Sequence, residues 1–145
     1  MATPKPFNFI LETPRVYTEL SRSIGYILSH LEKGNYILPD CEPDATVIEK
    51  LLINFPLNPI IFVNDSKTNH WPATIVSGQE QIKSVVDFLN GEPIGHAFFM
   101  DLLGRRLEDC PTYITRRIKD TTVAMHFITS FNIDIYDMTK YVKGM

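Results

Sequence analysis

The stretch Ser77-Gly78-Gln79-Glu80-Gln81, between a predicted strand and a predicted helix, has the clearest chemical pattern in this sequence. A glycine that opens a helix lets an anion approach the unpaired backbone N–H groups, where the positive end of the helix dipole also lies. Lys83 follows closely enough to help hold a phosphate. The pattern indicates a candidate nucleotide site at Gly78, Gln79, Gln81 and Lys83.

The same residues also have a structural interpretation. Ser77 and Glu80 have the S-x-x-E spacing of a capping box, in which Ser77 accepts from the Glu80 N–H and the Glu80 side chain reaches back to the Ser77 N–H. Capping boxes are common, so the spacing alone favours a capped helix with nothing bound. Both interpretations predict a helix start here.

A second group of candidates is positively charged. Five cations lie within a short stretch and can contact a phosphate backbone if they share one face: Arg105, Arg106, Arg116, Arg117 and Lys119. The chain as a whole is acidic, with 14 Lys and Arg against 17 Asp and Glu. This balance favours a solvated surface. The alternative is that these five residues form a local patch that binds nucleic acid or a protein partner.

Other residue types give weaker signals. Trp71, in a turn beside Pro72, is a candidate partner-binding residue, although a lid over the core is the commoner role of such a tryptophan. The four histidines are scattered without metal spacing, so no metal site is predicted. Cys41 and Cys110 are expected to be reduced and structural, and the acidic neighbours of Cys41 disfavour its thiolate.

Length and composition predict one ordinary domain. The 145 residues are 44% hydrophobic and 21% charged, which is enough to build a core. No signal-peptide pattern and no run of 18 apolar residues is seen, so we expect a cytoplasmic protein without a membrane partner.

Periodicity and turn residues predict a mixed α/β or α+β fold of the following elements. They are an extended arm over 1–12, a helix from Pro14 (capped by Thr13) to Lys33, an extended piece over 36–38, a helix from Asp44 to Phe55, paired strands over 59–63 and 73–76, a helix from Ser77 ended by Gly91, a weak strand over 97–100, a short helix over 111–118, a strand over 121–128 and a helical tail over 131–145.

Several stretches occur in an order that is typical of one family: Tyr36-Ile37-Leu38-Pro39-Asp40, Phe55-Pro56-Leu57-Asn58-Pro59-Ile60-Ile61-Phe62, Ile75-Val76-Ser77-Gly78-Gln79-Glu80-Gln81, Phe88-Leu89-Asn90-Gly91 and the helix over 107–118 leading to a strand at Val123. This order resembles the N-terminal domain of GmrSD-type restriction proteins, of the ParB/sulfiredoxin-like superfamily. The resemblance spans about Val16 to Ile128. It implies a compact domain with a small mixed sheet packed with helices, and a site for nucleotide binding and hydrolysis.

The sequence departs from the family at the residues that carry the chemistry. The family has Asp-Gly-Gln-Gln-Arg where this chain has Ser77-Gly78-Gln79-Glu80-Gln81, so the acidic first position and the closing arginine are both replaced. Glu42-Pro43 stands where the family has Gln-Arg. Loss of a guanidinium removes a fixed charge that can bind phosphate through two hydrogen bonds. The motif is therefore degenerate, and Gly78, Gln79, Gln81 and Lys83 are expected to be a nucleotide-binding remnant.

The resemblance implies a non-catalytic interaction protein that modulates or antagonises a restriction or defence system, with a protein as its partner. A virus or mobile element is a fitting source, and the host cytoplasm would then be its location. One alternative is a nucleotide-dependent hydrolase or nuclease that uses a nucleoside triphosphate with Mg²⁺, in which Glu80 holds the metal or acts as base. A second alternative is a DNA-binding module that uses the arginine cluster.

Overall fold

The computed structural model describes residues 16–64 and 72–129. These residues form five strands, four α-helices and two short 3₁₀ turns, which confirms the predicted mixed fold class. The elements are β1 (Val16–Ser23), α1 (Ile24–Glu32), β2 (Tyr36–Ile37), α2 (Val47–Leu52), β3 (Ile60–Asn64), β4 (Ala73–Ser77), α3 (Gln79–Leu89), the 3₁₀ turns Met100–Leu102 and Leu107–Asp109, α4 (Ile114–Asp120) and β5 (Thr122–Thr129).

The five strands form one mixed sheet in the order β1-β5-β3-β4-β2. The β1–β5 and β3–β4 pairs are antiparallel, whereas β5–β3 and β4–β2 are parallel. Both β3 and β4 contain consecutive buried apolar residues, as expected of interior strands that are covered on both faces. The predicted pairing of these two strands is confirmed.

The core consists of two clusters of apolar side chains. One lies between the sheet and the helices and includes Ile27, Phe62, Ile75, Ile82 and Met125. The other lies among the helices and includes Ile24, Leu51, Val85, Phe88 and Ile118. Because α3 contributes Ile82 to the first cluster and Val85 to the second, this helix joins the sheet layer to the helical layer.

The predicted helix from Pro14 to Lys33 is wrong over its first half. Val16–Ser23 is a strand that pairs with β5 in eight consecutive positions, from Val16 opposite Thr129 to Ser23 opposite Thr122. The apolar residues of this stretch also have helical spacing, but that local preference is weak. Pairing with β5 over eight positions outweighs it. The helix begins at Ile24, and Ser23 caps it by accepting from the Tyr26 N–H at 3.1 Å. Thr13, the extended arm and the predicted helical tail lie outside the described residues.

The second helix is shorter than its apolar repeat predicts, because it ends at Leu52 rather than at Phe55. Asn54 has φ 62° and donates its N–H to the Leu51 carbonyl, and Phe55 donates to the Lys50 carbonyl at 2.8 Å. These two bonds form a Schellman motif, which needs a left-handed residue. The carboxylate of Asp44 accepts from the Thr46 N–H just before the helix, so it stabilises the turn that precedes the helix start.

The left-handed Asn54 provides a stability test. Glycine adopts positive φ without the steric cost that a Cβ imposes, so Asn54→Gly is expected to raise the free energy of unfolding by about 0.5 kcal/mol. Urea unfolding would measure the change. The control is Asn90→Gly, at a helix C-cap with φ −90°. At that position glycine relieves no strain and only increases the conformational entropy of the unfolded chain. The free energy of unfolding of this variant should therefore fall by about 0.5–1 kcal/mol. Equal effects of the two substitutions would contradict the argument.

Candidate functional site

The glycine turn, residues Ser77 to Gln81, joins β4 directly to α3. The predicted helix start is confirmed, but the predicted capping box is wrong. The N-cap is Gly78, and no side chain in the described part of the chain caps this end of α3. The reason is the left-handed backbone of Gly78, at φ 81°. It makes the glycine, and not Ser77, the residue whose carbonyl accepts the first α-helical bond, from the Ile82 N–H at 3.4 Å, beside a tighter bond from the Gln81 N–H at 3.1 Å.

Glycine is required at position 78 for two separate reasons. Its positive φ is a conformation that residues with a Cβ rarely adopt. A Cβ at this position would also lie 2.5 Å from the Cδ1 of Ile60 and 3.1 Å from the carbonyl oxygen of Pro59. The turn is therefore packed closely against the start of β3, and this packing fixes where α3 begins.

The side chain of Gln81 is used inside the fold. Its Oε1 accepts from the Asn58 N–H at 3.0 Å, and its Nε2 donates to the Asn58 carbonyl at 3.0 Å. The amide thus pairs with both backbone groups of one residue, as a neighbouring strand would. This pairing ties α3 to the chain that enters β3, so the structure gives the Gln81 amide an internal role.

Lys83 is paired with a carboxylate on its own helix. Its Nζ lies 3.0 Å from Oδ1 of Asp87, one helical turn further on. The hydrogen bond and charge of Asp87 raise the pKa of Lys83, and Asp40 adds a smaller effect of the same sign. The ammonium group therefore has anionic neighbours already.

Gln79 is the one candidate in the glycine turn whose polar side chain is both buried and unsatisfied. Only 4% of the residue is exposed, and its Oε1 has no hydrogen-bond partner among the residues that the structure describes. Buried polar atoms are nearly always satisfied, so an acceptor of this kind calls for an explanation. It lies in the first turn of α3, beside Gly78.

The acidic loop that carries Asp40, Glu42 and Asp44 packs against the first turns of α3. The Asp44 N–H donates to the Glu80 carbonyl at 3.2 Å, and the Ser84 hydroxyl donates to the Asp44 carbonyl at 2.6 Å. Burial acts to raise the pKa of Asp44, but the hydrogen bonds from Thr46 outweigh it, and the pKa is below its ordinary value. The fold thus brings the acidic loop against the glycine turn, and the loop adds negative charge there.

The five cations of the predicted basic cluster lie in two stretches of the chain: Arg105 and Arg106 precede α4, and the other three are on α4. Arg106 donates to the Gly91 carbonyl and lines a cavity of about 420 Å³ at the end of α3. Arg117 lines a different cavity of about 410 Å³, beside Phe55 and Asp120. Arg116 lies 3.5 Å from the carboxylate of Asp120 in an exposed ion pair, and Lys119 is exposed on the same helix. Trp71 lies outside the described residues.

Neither cysteine forms a disulfide, and both are partly buried. Burial raises the pKa of the Cys110 thiol, which keeps it protonated near neutral pH. Within residues 16–64 and 72–129, no three His, Cys, Asp or Glu side chains converge as they would around a metal ion.

The sequence analysis missed a buried carboxylate on α2. Glu49 is 9% exposed, and its two oxygens accept from the N–H groups of Phe98 at 2.9 Å and Phe99 at 2.8 Å. These bonds hold the pKa of Glu49 below its ordinary range. They also explain why the predicted strand over 97–100 is wrong, since the Glu49 carboxylate takes two of the N–H groups that a strand would use. The signal that could have found this region is the run of four apolar residues from Ala97 to Met100, which is too short to form a core helix.

Compared with models of protein families, with curated proteins and with solved structures, the chain matches none of them. No helix in the described ranges is long and apolar enough to cross a lipid bilayer.

Proposed function

We propose that this chain is a non-catalytic interaction protein, built on a domain similar to the N-terminal domain of GmrSD-type restriction proteins, that modulates or antagonises a restriction or defence system. One observation carries the non-catalytic part of the proposal. At the turn where the family places its nucleotide chemistry, the Gln81 amide is bonded to Asn58 and the Lys83 ammonium to Asp87.

The helix dipole alone attracts a phosphate too weakly to give useful affinity. The N-terminus of α3 offers its dipole and backbone N–H groups, and the dipole contributes about 0.3–1 kcal/mol to the binding of one negative charge. Micromolar affinity needs about 8 kcal/mol. Glu80 in the first turn of α3 and Asp40 near Lys83 act against an anion. A triphosphate would therefore need charge neutralisation that these residues do not supply.

The alternative is a nucleotide-dependent hydrolase or nuclease, and the unsatisfied Oε1 of Gln79 favours it. A ligand that donates a hydrogen bond would satisfy this buried acceptor. In that case Glu80 would hold a divalent metal ion or act as a general base. The two functions differ in whether a nucleoside triphosphate binds at all.

Calorimetric titration with nucleoside triphosphates, with and without Mg²⁺, separates these functions. We expect no binding heat in the micromolar range for the wild-type protein. The matched pair of variants is Lys83→Ala at the glycine turn and Lys50→Ala on α2, two partly buried lysines. A micromolar affinity that Lys83→Ala abolishes and Lys50→Ala retains would overturn the non-catalytic function in favour of the enzyme.

The interaction part needs a separate assay. We expect the purified chain, added in molar excess to a GmrSD-type restriction enzyme, to change the rate at which that enzyme cleaves its DNA substrate. Heat-denatured protein at the same concentration is the control. An unchanged cleavage rate, together with no co-elution of the two proteins, would contradict a role in modulating such an enzyme.

A further inference from the structure

The chain between α3 and α4 displays a patch of exposed apolar side chains, which we call the aromatic loop (residues 98–103). Phe98 is 82% exposed, Met100 71%, Phe99 50% and Leu103 45%. The two phenylalanine rings meet edge to face, with their centroids 5.3 Å apart. Four large apolar side chains exposed within six consecutive residues are a feature of interaction sites.

The aromatic loop is held in one conformation by hydrogen bonds at its base. Both oxygens of Glu49 bind its first two N–H groups, as described above. Ile94 and Arg105 close the loop, because the Ile94 N–H donates to the Arg105 carbonyl at 2.9 Å and the Gly104 N–H donates to the Ile94 carbonyl at 2.8 Å. A surface that is already ordered loses little conformational entropy on binding.

The size of the patch is appropriate for association with a second copy. From the exposed fractions, its four side chains present on the order of 500 Å² of apolar surface, near the upper end for a monomer. Two such patches in contact would bury about 1,000 Å², which is the lower limit for a specific interface before any surrounding residue is counted.

The charges at the edge of the patch are self-complementary. Asp101 and Arg105 are both exposed, and neither takes part in an ion pair within the described ranges. The Arg105 Nε donates to the Asp101 carbonyl at 3.0 Å and its Nη1 to the Asp109 carbonyl at 3.2 Å, so backbone bonds hold the guanidinium beside the patch. In a two-fold arrangement residue i of one copy meets residue j of the other and the reverse, which pairs each carboxylate with the opposite guanidinium. A partner with charges of only one sign would face a like charge at this edge.

We propose that two copies of this chain associate about a two-fold axis through the aromatic loop, with Phe98 and Met100 at the centre of the interface and Asp101 of each copy opposite Arg105 of the other. This association does not depend on the proposed function. A nucleotide titration that refutes the latter would leave the dimer intact, and a monomeric protein would leave the nucleotide question open.

The oligomeric state of the full chain, measured by sedimentation equilibrium over a range of concentrations, tests the dimer. We expect Phe98→Ser to weaken self-association at least about tenfold, as removal of a central aromatic anchor does. The matched control is Phe55→Ser, at a phenylalanine that is 55% exposed elsewhere on the surface, and it should leave the dissociation constant unchanged. Circular dichroism verifies that both variants are folded.

Charge reversal tests the arrangement itself. Asp101→Lys and Arg105→Glu should each weaken self-association. In a dimer of either variant, both 101–105 pairs across the interface would consist of like charges. An equimolar mixture of the two variants should recover dimers, since both pairs are then of opposite sign. A protein that is monomeric at every concentration, a dimer that Phe98→Ser leaves intact, or a failure of the mixture to recover association would each overturn the proposal.

Discussion

Replacing Gly78 by alanine is expected to lower the free energy of unfolding by about 2–4 kcal/mol, the sum of a left-handed backbone strain and an overpacked contact. The added methyl group would approach the Cδ1 of Ile60 to 2.5 Å, with the Pro59 carbonyl at 3.1 Å. The isoleucine tip can rotate, but the backbone carbonyl cannot move without shifting β3. Urea unfolding at neutral pH measures the loss.

Gly34 provides a matched control for this substitution. Its φ is +79°, close to that of Gly78, and nothing lies within 4 Å of the position that a Cβ would take. Gly34→Ala should therefore cost only the backbone strain, about 1 kcal/mol. The difference between the two variants isolates the contact with β3. If Gly78→Ala cost no more than Gly34→Ala, close packing of the glycine turn would be refuted.

Removal of the Glu49 carboxylate is expected to have the second large effect. Glu49→Ala leaves the N–H groups of Phe98 and Phe99 without their acceptors, and we expect the melting temperature to fall on the order of 5–10 °C. Glu49→Gln retains one oxygen acceptor but turns an amide NH2 donor toward the other N–H group, so it should lose at least half as much. Thermal unfolding by circular dichroism measures both. A Glu49→Ala variant that melts at the wild-type temperature would show that these two hydrogen bonds do not stabilise the fold.

The Glu49 carboxylate also predicts how the stability of the protein changes with pH. Hydrogen bonds from the Phe99 and Phe98 N–H groups lower the pKa of Glu49 in the folded protein. A group with a depressed folded pKa stabilises the fold fully above its unfolded pKa, and this stabilisation is lost as the pH falls through the folded pKa. The gap in melting temperature between wild type and Glu49→Gln should thus be constant at neutral pH and narrow below about pH 4.3, the ordinary value for glutamate. A gap that is independent of pH down to strongly acidic conditions would contradict this assignment.

Local pattern was sufficient for the elements whose signals lie within a few residues. The β-branched runs of β3 and β4 predicted two buried strands, because interior strands need apolar residues on both faces. The end of α3 was also predictable, from the glycine at position 91. In the structure Gly91 has φ 104° and donates to the Phe88 carbonyl, while Glu92 donates to the Asp87 carbonyl. This Schellman motif needs a left-handed residue that glycine supplies without strain.

Within the candidate site, the sequence indicated the glycine turn but not the use of its side chains. Nothing in the spacing predicts that the Gln81 amide binds the backbone of Asn58, which is 23 residues earlier in the chain. The capping box failed for a related reason. Gly78 adopts its left-handed conformation where β4 and α3 meet, and this moves the N-cap one residue beyond Ser77.

Local sequence patterns were enough to predict the mixed fold class, the paired interior strands and the position of the glycine turn, because these depend on local propensity and on which residues must avoid water. Tertiary contacts make Val16–Ser23 a strand and bring the Glu49 carboxylate against the aromatic loop. Each of these depends on contacts between residues far apart in the chain. The free energy of such contacts exceeds the small local preference that a short stretch of sequence expresses.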